Sequence, residues 1–267
     1  MTALAPDDLL RTAERAARAG AAALAPHFAA RDRLVIEEKA HHDFVSEADR
    51  ASERAIAAAI RGEYPGHAIL AEEEECAALD TPGPLWIVDP LDGTTNFLHG
   101  FPFYAVSVAC AVGGVVQAGV VLDPSRDELF AAARGRGATL DGRPIAVSLQ
   151  PGLRRALVGT GFPFRRLDRL DLYLAAFRAV VIETAGVRRA GSAAIDLASV
   201  ACGRLDGFWE EGLGPWDVAA GALLIEEAGG VVTDFRGERD VLVRGDIVCG
   251  PAAVQAELLR IVARAMP

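Results

Sequence analysis

Apolar and polar positions along the chain predict helices that alternate with short strands. Residues 6–29 form an Ala-rich segment with Pro6 and two aspartates at its start, which favours a helix from that point. Ser46 suits the N-cap of a second helix, on which Ile56 and Ile60 share one face. The remaining apolar runs of the first half predict strands at 34–36, 67–71, 85–88, 104–112, 115–122 and 128–133.

Turn residues set the expected limits of these elements. Pro90 cannot donate a hydrogen bond to a sheet, so the strand at 85–88 should end at Asp89. Two glycines at 113–114 separate two β-branched runs and predict a hairpin. Residues 39–43 have no regular period, which is typical of a polar, mobile loop.

The second half alternates more regularly between the two kinds of element. Glycine- and aspartate-rich turns at 135–144 place a boundary near residue 147, which predicts an α+β domain at 1–146 and an α/β domain at 147–267. After the boundary, the pattern predicts strands at 156–159, 187–190, 206–209, 231–234 and 247–249, and helices at 167–182, 192–203, 216–228 and from 251 onwards. Such alternation indicates a layered α/β fold.

Composition and charge narrow the range of partners. The 267 residues carry a formal net charge of −10 and no long run of Lys or Arg, which argues against nucleic-acid or anionic membrane partners. The chain shows neither a signal-peptide pattern nor an uninterrupted apolar run of about 18 residues, so a cytoplasmic location is expected. Reduced thiols are expected at the four cysteines, which lack C-x-x-C spacing: Cys76, Cys110, Cys202 and Cys249.

Two carboxylates stand at the exit of an apolar strand. Asp89 and Asp92 precede Gly93, which permits a tight turn, and Thr94 and Thr95, which offer N–H and O–H donors. Carboxylates beside a donor-rich turn suit a hard divalent cation that holds a phosphate. A polar turn whose aspartates cap the next helix explains the same residues and stays open at this point.

Further acids lie at the ends of other predicted elements. Glu72 and Glu73 follow the strand at 67–71, and Asp217 stands at the start of a helix. Ligands of open α/β sheets gather where strands end and helices begin, so these acids can converge with the aspartates at 89 and 92. Two carboxylates about 4 Å apart repel by about 4 kcal/mol at an effective dielectric of about 20, so such a cluster needs protons or cations. Two or more Mg²⁺ ions make it compatible with a phosphate and predict metal-assisted attack of water on a phosphomonoester. Taken singly, the glutamates are also typical of a solvated face, and Asp217 of a helix start.

The same residues form two long motifs in a specific order. The first, DPLDGTTN, occupies 89–96, and the second, WDVAAG, occupies 216–221 and continues to 230. On these motifs the chain resembles the inositol monophosphatase family, within the lithium-sensitive, Mg²⁺-dependent phosphatase superfamily. Shorter stretches fall in family order at 43–49, 70–73, 159–163 and 189–194. The resemblance covers nearly the whole chain and implies the αβαβα sandwich of inositol monophosphatases and fructose-1,6-bisphosphatases.

The resemblance implies a set of metal ligands. Glu72, Asp89 and the carbonyl of Leu91 would hold the first Mg²⁺. Asp89, Asp92 and Asp217 would hold the second. A third, weaker ion is implied near Glu72 and the mobile loop.

It also implies the groups that bind phosphate and activate water. The backbone N–H groups of Gly93 and Thr94, together with Thr95, would cradle the phosphate. Thr94, paired with Asp49, and Glu72 would activate the water for direct attack.

The family resemblance extends to substrate and assembly. Ala193 and Glu210 would contact the hydroxyl-bearing body of the substrate. The implied enzyme is a lithium-inhibited inositol-phosphate phosphatase that forms a homodimer. Two departures from the family pattern lie outside the implied two-metal core. Ala71 replaces a frequent glycine before the paired glutamates, and His41-His42 replace a pair that often contains proline in the mobile loop, near the implied third ion.

Other functions fit parts of the sequence less well. A haloacid-dehalogenase phosphatase needs its two aspartates two residues apart, but Asp89 and Asp92 are three apart. A dinucleotide loop at 159–164 lacks its third glycine, because position 164 is Phe164. Thr95-Asn96 favours the inositol phosphatase branch over phosphatases of 3′-phosphoadenosine nucleotides or histidinol phosphate, while fructose 1,6-bisphosphate and NADP(H) stay open as substrates.

A different class of function also stays open. Some members of the family act as regulatory protein partners of RNA-processing or transcription machinery. The acidic charge argues against a direct grip on RNA, whereas a protein–protein role leaves no mark in the sequence. Intact metal ligands favour an enzyme, because a scaffold does not need them.

Overall fold

Helices and strands occupy most of the chain. The computed structural model describes residues 4–34, 36–40, 43–74, 77–164 and 166–266. Its helices are α1 (Pro6–Ala29), α2 (Glu47–Glu63), α3 (Thr94–Leu98), α4 (Leu170–Glu183), α5 (Ala193–Ala201), α6 (Pro215–Glu227), α7 (Val241–Arg244) and α8 (Ala252–Ala265). Its strands are β1 (Ile36–Ala40), β2 (Asp43–Ser46), β3 (Ala68–Ala71), β4 (Pro84–Asp92), β5 (Ala105–Val112), β6 (Val115–Asp123), β7 (Glu128–Ala133), β8 (Ala138–Leu140), β9 (Arg143–Ile145), β10 (Leu157–Thr160), β11 (Gly186–Arg188), β12 (Gly207–Glu211), β13 (Val231–Thr233) and β14 (Asp246–Gly250).

The larger elements stack in five layers. A seven-stranded sheet runs in the order β3-β4-β5-β6-β7-β8-β9, and a five-stranded sheet in the order β11-β10-β12-β14-β13. The α1 and α2 helices cover the outer face of the first sheet, and α4 and α8 cover the outer face of the second. The α5 and α6 helices fill the space between the sheets. This arrangement confirms the predicted αβαβα sandwich.

The β4 strand shows why its sequence is apolar without alternation. Trp86 and Val88 pack against the α1 and α2 layer. Leu85 and Ile87 face the opposite way, into the core around α5 and α6. Because both faces of this strand are covered, every position from 85 to 88 is buried, as the continuous apolar run predicted.

The prediction that this strand ends at Asp89 is wrong. The β4 strand continues through Pro90 to Asp92, with a shift of register against β5 between Asp89 and Asp92. The neighbouring β3 strand ends at Ala71, opposite Val88, so Pro90 lies beyond the part of β4 that is paired on both sides. A bulge at this position removes the need for the N–H group that proline lacks.

Smaller differences concern short elements. The predicted hairpin at 113–114 is confirmed, with positive φ at both glycines. Two short strands, β8 and β9, and the α7 helix lie in segments that were expected to be turns or loops. The expected loop at 39–43 is shorter than predicted, because its first two residues belong to β1 and Asp43 begins β2. His41, His42, Glu75 and Cys76 lie outside the described residues.

The strands of the two sheets come from separate parts of the sequence. The seven-stranded sheet spans residues 68–145 and the five-stranded sheet spans 157–250. The division into domains at residue 146 stays a prediction, since α5 and α6 pack against both sheets. None of the helices in the described ranges combines the length and apolar character that crossing a membrane requires.

Candidate active site

Three aspartates converge where β4 ends and α6 begins. One carboxylate oxygen from each of Asp89, Asp92 and Asp217 lies within 4.8 Å of the other two. Asp89 is 1% exposed and Asp217 is 9% exposed, so the cluster sits at the bottom of a cleft. The predicted convergence of these three acids is therefore observed.

The bulge in β4 sets the direction of its two aspartates. The Leu91 N–H group donates a hydrogen bond of 3.0 Å to Asp89 Oδ1, which holds that carboxylate against its own strand. The other oxygen, Asp89 Oδ2, is buried and receives no hydrogen bond from any residue that the structure describes. A buried carboxylate oxygen without a donor needs a proton or a cation.

The other two aspartates are fixed by helix starts. Asp92 Oδ2 accepts hydrogen bonds from the Ser192 hydroxyl at 2.5 Å and from the Ala194 N–H group at 2.7 Å, so it caps α5. Asp217 lies in the first turn of α6 and accepts a 2.6 Å hydrogen bond from the Gly214 N–H group. The alternative role of Asp217 as a charge at a helix start therefore explains the hydrogen bond of one of its carboxylate oxygens.

Mutual repulsion and loss of water raise the pKa values in the cluster. Burial raises the pKa of Asp89 well above its ordinary value, and the charges of Glu72, Asp92 and Asp217 raise it further. Burial and then the Asp217 charge raise the pKa of Asp92 to about 7. Oxygen ligands, excess negative charge and the unpartnered Asp89 Oδ2 together fit a hard divalent cation such as Mg²⁺.

For the metal-free protein, we expect the free energy of unfolding to decrease as the pH rises through about 7. Asp92 has a pKa of about 7 in the folded protein, and the pKa of Asp89 is raised in the same direction, so the folded protein binds more protons than the unfolded chain near this pH. Burial lowers the pKa of His67, a shift of the opposite sign that cannot cause the decrease. Thermal unfolding in EDTA would measure the decrease, and saturating Mg²⁺ should reduce it. An equally steep pH dependence with and without Mg²⁺ would contradict the assignment of the cluster.

A tight turn follows the cluster directly. Gly93 has a φ of +91° and is the N-cap of α3, a conformation that favours glycine. The Thr94 hydroxyl lies 3.0 Å from Asp49 Oδ1 and 3.1 Å from the Leu91 carbonyl oxygen. Asp49 is itself fixed, because the N–H and hydroxyl groups of Ser46 donate to its Oδ2 at 2.8 and 2.7 Å.

The cluster and the turn open into a cleft of about 310 Å³. It collects the residues that the sequence implied for metal and substrate binding: Glu72, Asp89, Leu91, Asp92, Gly93, Thr94, Thr95, Ala193, Glu210 and Asp217. Asp49 lies behind Thr94 instead, and is 1% exposed. The N–H group of Glu73 donates to Glu53, and Glu73 is not among the residues that line the cleft.

Sequence reasoning missed two charged residues of the same cleft. Asp196 is 3% exposed, and burial raises its pKa well above the ordinary value, as it does for Glu210. Arg189 lies over the rings of Phe162 and Phe164, with centroid distances of 5.4 and 5.0 Å. Both residues fall in or beside the family-like stretch at 189–194, but nothing in their spacing indicated that they face the cleft.

A five-layer sandwich with an acidic cleft at its strand ends belongs to the class of α/β proteins that can hold a metal ion beside a phosphate. Within this class, the chain belongs to the inositol monophosphatase family, whose model matches residues 5–266. It is therefore a member of a phosphatase superfamily, as the motifs at 89–96 and 216–221 indicated.

The relatives of this chain carry two kinds of name. The chain is 52% identical to the Nus factor SuhB of Pseudomonas aeruginosa over 246 residues, which is 91% of each chain. It is 43% identical to the inositol-1-monophosphatase of Mesorhizobium japonicum, over 97% of both chains.

Solved structures agree with the fold. The extragenic suppressor protein SuhB of Bartonella henselae has a TM-score of 0.91 at 41% identity, over 96% of this chain and 98% of that one. The Staphylococcus aureus protein SaIMPase-II, solved with bound inositol monophosphate, has a TM-score of 0.81 at 26% identity, over 96% of this chain and 94% of that one. The same protein was also solved with 2′-AMP.

Proposed function

We propose that this chain is a Mg²⁺-dependent phosphomonoesterase that hydrolyses inositol monophosphate, or a similar small polyol phosphate, to the free alcohol and phosphate. The observation that carries the proposal is the buried Asp89 Oδ2, which receives no donor among the described residues and faces two further aspartates. A cluster of this kind attracts a phosphate only when cations reverse its charge. The inositol monophosphate bound to SaIMPase-II supports the choice of substrate class.

The proposed ligands are those that the family resemblance implies, and the convergence of three aspartates supports them. Glu72, Asp89 and the Leu91 carbonyl would hold one Mg²⁺, Asp89, Asp92 and Asp217 a second, and a third, weaker ion would bind near Glu72. When bound, these ions would supply the positive charge that holds a phosphate and lowers the pKa of a nearby water. Asp92 Oδ2 is already used by α5, which leaves its Oδ1 for a cation.

The turn after β4 would bind the phosphate and orient the water. The first N–H groups of α3 have no acceptor within their own helix, so those of Gly93 and Thr94, with the Thr95 hydroxyl, are suited to phosphate oxygens. The Thr94 hydroxyl donates one proton, and the Asp49 carboxylate is fixed to receive it. Thr94 oxygen would then accept a hydrogen bond from the attacking water, with Glu72 as the second acceptor.

Two further residues that line the cleft, Ala193 and Glu210, would contact the body of the substrate. Burial and the charges of Asp217 and Asp196 raise the pKa of Glu210, so it can donate as well as accept a hydrogen bond to a hydroxyl. We extend to this chain the family properties of lithium inhibition, a homodimeric state and a cytoplasmic location, with no nucleic-acid or membrane partner.

Phosphate release from a panel of phosphomonoesters tests the proposal. The panel holds inositol 1-phosphate, fructose 1,6-bisphosphate, NADP⁺, 2′-AMP, 3′-phosphoadenosine 5′-phosphate and histidinol phosphate, each with Mg²⁺, with EDTA and with added lithium. We expect Mg²⁺-dependent, lithium-inhibited turnover that is fastest with inositol 1-phosphate. Faster turnover of another compound would keep the mechanism and replace the substrate. No Mg²⁺-dependent release from any of them would contradict the enzyme assignment.

A second candidate function is a regulatory role as a protein partner of transcription machinery. The name of the Pseudomonas aeruginosa relative, Nus factor SuhB, favours it. Such a role does not require the aspartate cluster. A pull-down that captures transcription proteins equally well with Asp92→Asn and with wild-type protein would support this role. Loss of capture in the variant would show that binding of the partner depends on the cleft.

A further inference from the structure

One face of α2 contacts several segments that carry the proposed catalytic groups. Asp49 accepts a hydrogen bond from the Thr94 hydroxyl at 3.0 Å, and the Ser52 hydroxyl donates one to the Pro90 carbonyl oxygen at 2.8 Å. Glu53 reaches the segment that follows β3. Residues three and four apart share one face of a helix, so these three side chains project from α2 in the same direction.

Glu53 binds its segment through both carboxylate oxygens. Glu53 Oε2 accepts the N–H group of Glu73 at 3.0 Å, and Oε1 accepts the N–H group of Glu74 at 2.8 Å. The Glu53 residue is 1% exposed, so these hydrogen bonds are shielded from water. The β3 strand ends at Ala71, and the two N–H groups therefore lie beyond the sheet ladder.

The segment held in this way carries a proposed metal ligand. Residues 72–74 belong to no helix or strand, so their conformation depends on contacts with the rest of the protein. Glu72 lines the cleft while the next two residues are tied to Glu53. If this segment were free, a cation would have to order it on binding, and its affinity would decrease accordingly.

We propose that Glu53 is a positioning residue, which holds the backbone of 73–74 so that the Glu72 carboxylate faces the aspartate cluster. The inference rests on the proposed function, in which Glu72 is a metal ligand. Glu53 is outside the lining of the cleft and acts through the segment that it binds.

Two substitutions separate positioning from general stability. In Glu53→Gln the side chain keeps its size, but its NH₂ group is a donor and faces one of the two backbone N–H donors, so that hydrogen bond is lost. Glu53→Ala loses both. A segment that Glu53 no longer holds would have to be ordered when the cation binds, so Mg²⁺ affinity should decrease about 10-fold in each variant, which corresponds to about 1.4 kcal/mol. Turnover at saturating Mg²⁺ should remain near the wild-type value.

The measurements do not depend on activity alone. Mg²⁺ is titrated calorimetrically into the metal-free protein, and amide hydrogen exchange is followed at residues 72–74, which should lose protection in both variants. Glu63→Gln is the control, because Glu63 lies on the same helix but pairs with Arg15 on the surface, at 2.9 Å. This control should match the wild type.

Several outcomes would overturn the inference. A folded Glu53→Gln protein with unchanged Mg²⁺ affinity, or with unchanged exchange at residues 72–74, excludes positioning. A lower unfolding temperature with unchanged Mg²⁺ affinity shows a purely structural role and also excludes it. If Glu53→Ala does not fold, Glu53→Gln decides alone. Absence of phosphatase activity in the wild type would reject the proposed function, while Mg²⁺ titration and exchange would still decide the role of Glu53.

Discussion

Asp92→Asn should reduce turnover by about 10³-fold or more, while the protein remains folded. The asparagine carbonyl can still accept the hydrogen bonds from Ser192 and Ala194, which at present reach Asp92 Oδ2 at 2.5 and 2.7 Å, so the cap of α5 is kept. The other side-chain atom, which faces the cluster, changes from a charged acceptor to a donor. Loss of one metal-ligating charge removes several kcal/mol of transition-state stabilisation, which corresponds to this decrease in rate.

The stability of the same variant should change in the opposite direction. Because the pKa of Asp92 is raised to about 7, its charge is unfavourable in the metal-free folded state. Neutral asparagine removes that cost, so the unfolding temperature of metal-free Asp92→Asn should equal or exceed that of the wild type above about pH 7. Steady-state kinetics and thermal unfolding in EDTA measure the two effects.

Asp123→Asn is the matched control. Asp123 is 0% exposed, accepts hydrogen bonds from Ser125 and Arg126, and is not among the residues that line the cleft. Its charge is compensated by the arginine, so its replacement should lower stability and leave kcat unchanged. If Asp92→Asn instead lost stability and kept kcat, the aspartate cluster would be structural.

The aspartate cluster could be predicted from sequence because it depends on local rules. Asp89 and Asp92 follow an apolar strand, and Asp217 stands in the first turn of a helix. Strand ends and helix starts meet at one edge of a layered α/β fold, so their acids meet as well. The five layers were predictable for a similar reason, since strands buried on both faces must have helices on both sides.

Other features depend on contacts between distant parts of the chain. Glu53 looks like an ordinary acid of a helix, and its role appears only when residues 73–74 fold back onto α2. Asn96 donates to the carbonyl oxygens of Phe103 and Ala190, the second of which is 94 residues away in sequence. The predicted end of β4 was wrong because it relied on Pro90 alone. The β3 strand ends opposite Val88, so β4 does not need a backbone N–H donor toward β3 at Pro90. No periodicity or turn signal encodes such pairings.

The turn at Gly93 leaves no room for a side chain. Its φ of +91° is unfavourable for any other residue, and an added Cβ would lie 3.0 Å from the Phe103 carbonyl oxygen and 3.2 Å from that of Gly191. Asn96 donates to Phe103 at 2.7 Å and lies within 3.3 Å of the Gly191 oxygen, so these carbonyl groups are held in place. A methyl group would therefore displace the Gly93–Thr94 backbone and not its surroundings.

Gly93→Ala should lower turnover by about 10²-fold and the free energy of unfolding by about 1–3 kcal/mol. The loss of rate follows because the displaced N–H groups would no longer face a phosphate, and because Thr94 would move relative to Asp49. Gly229→Ala is the control: Gly229 has a similar φ of +85°, but nothing lies within 4 Å of an added Cβ. This control should lose about 1 kcal/mol and keep full turnover. Chemical denaturation and steady-state kinetics with inositol 1-phosphate measure both variants. Equal turnover for the two variants would contradict this prediction. It would show that the close fit of Gly93 between the two carbonyl groups does not matter for the reaction, and that the phosphate is bound elsewhere.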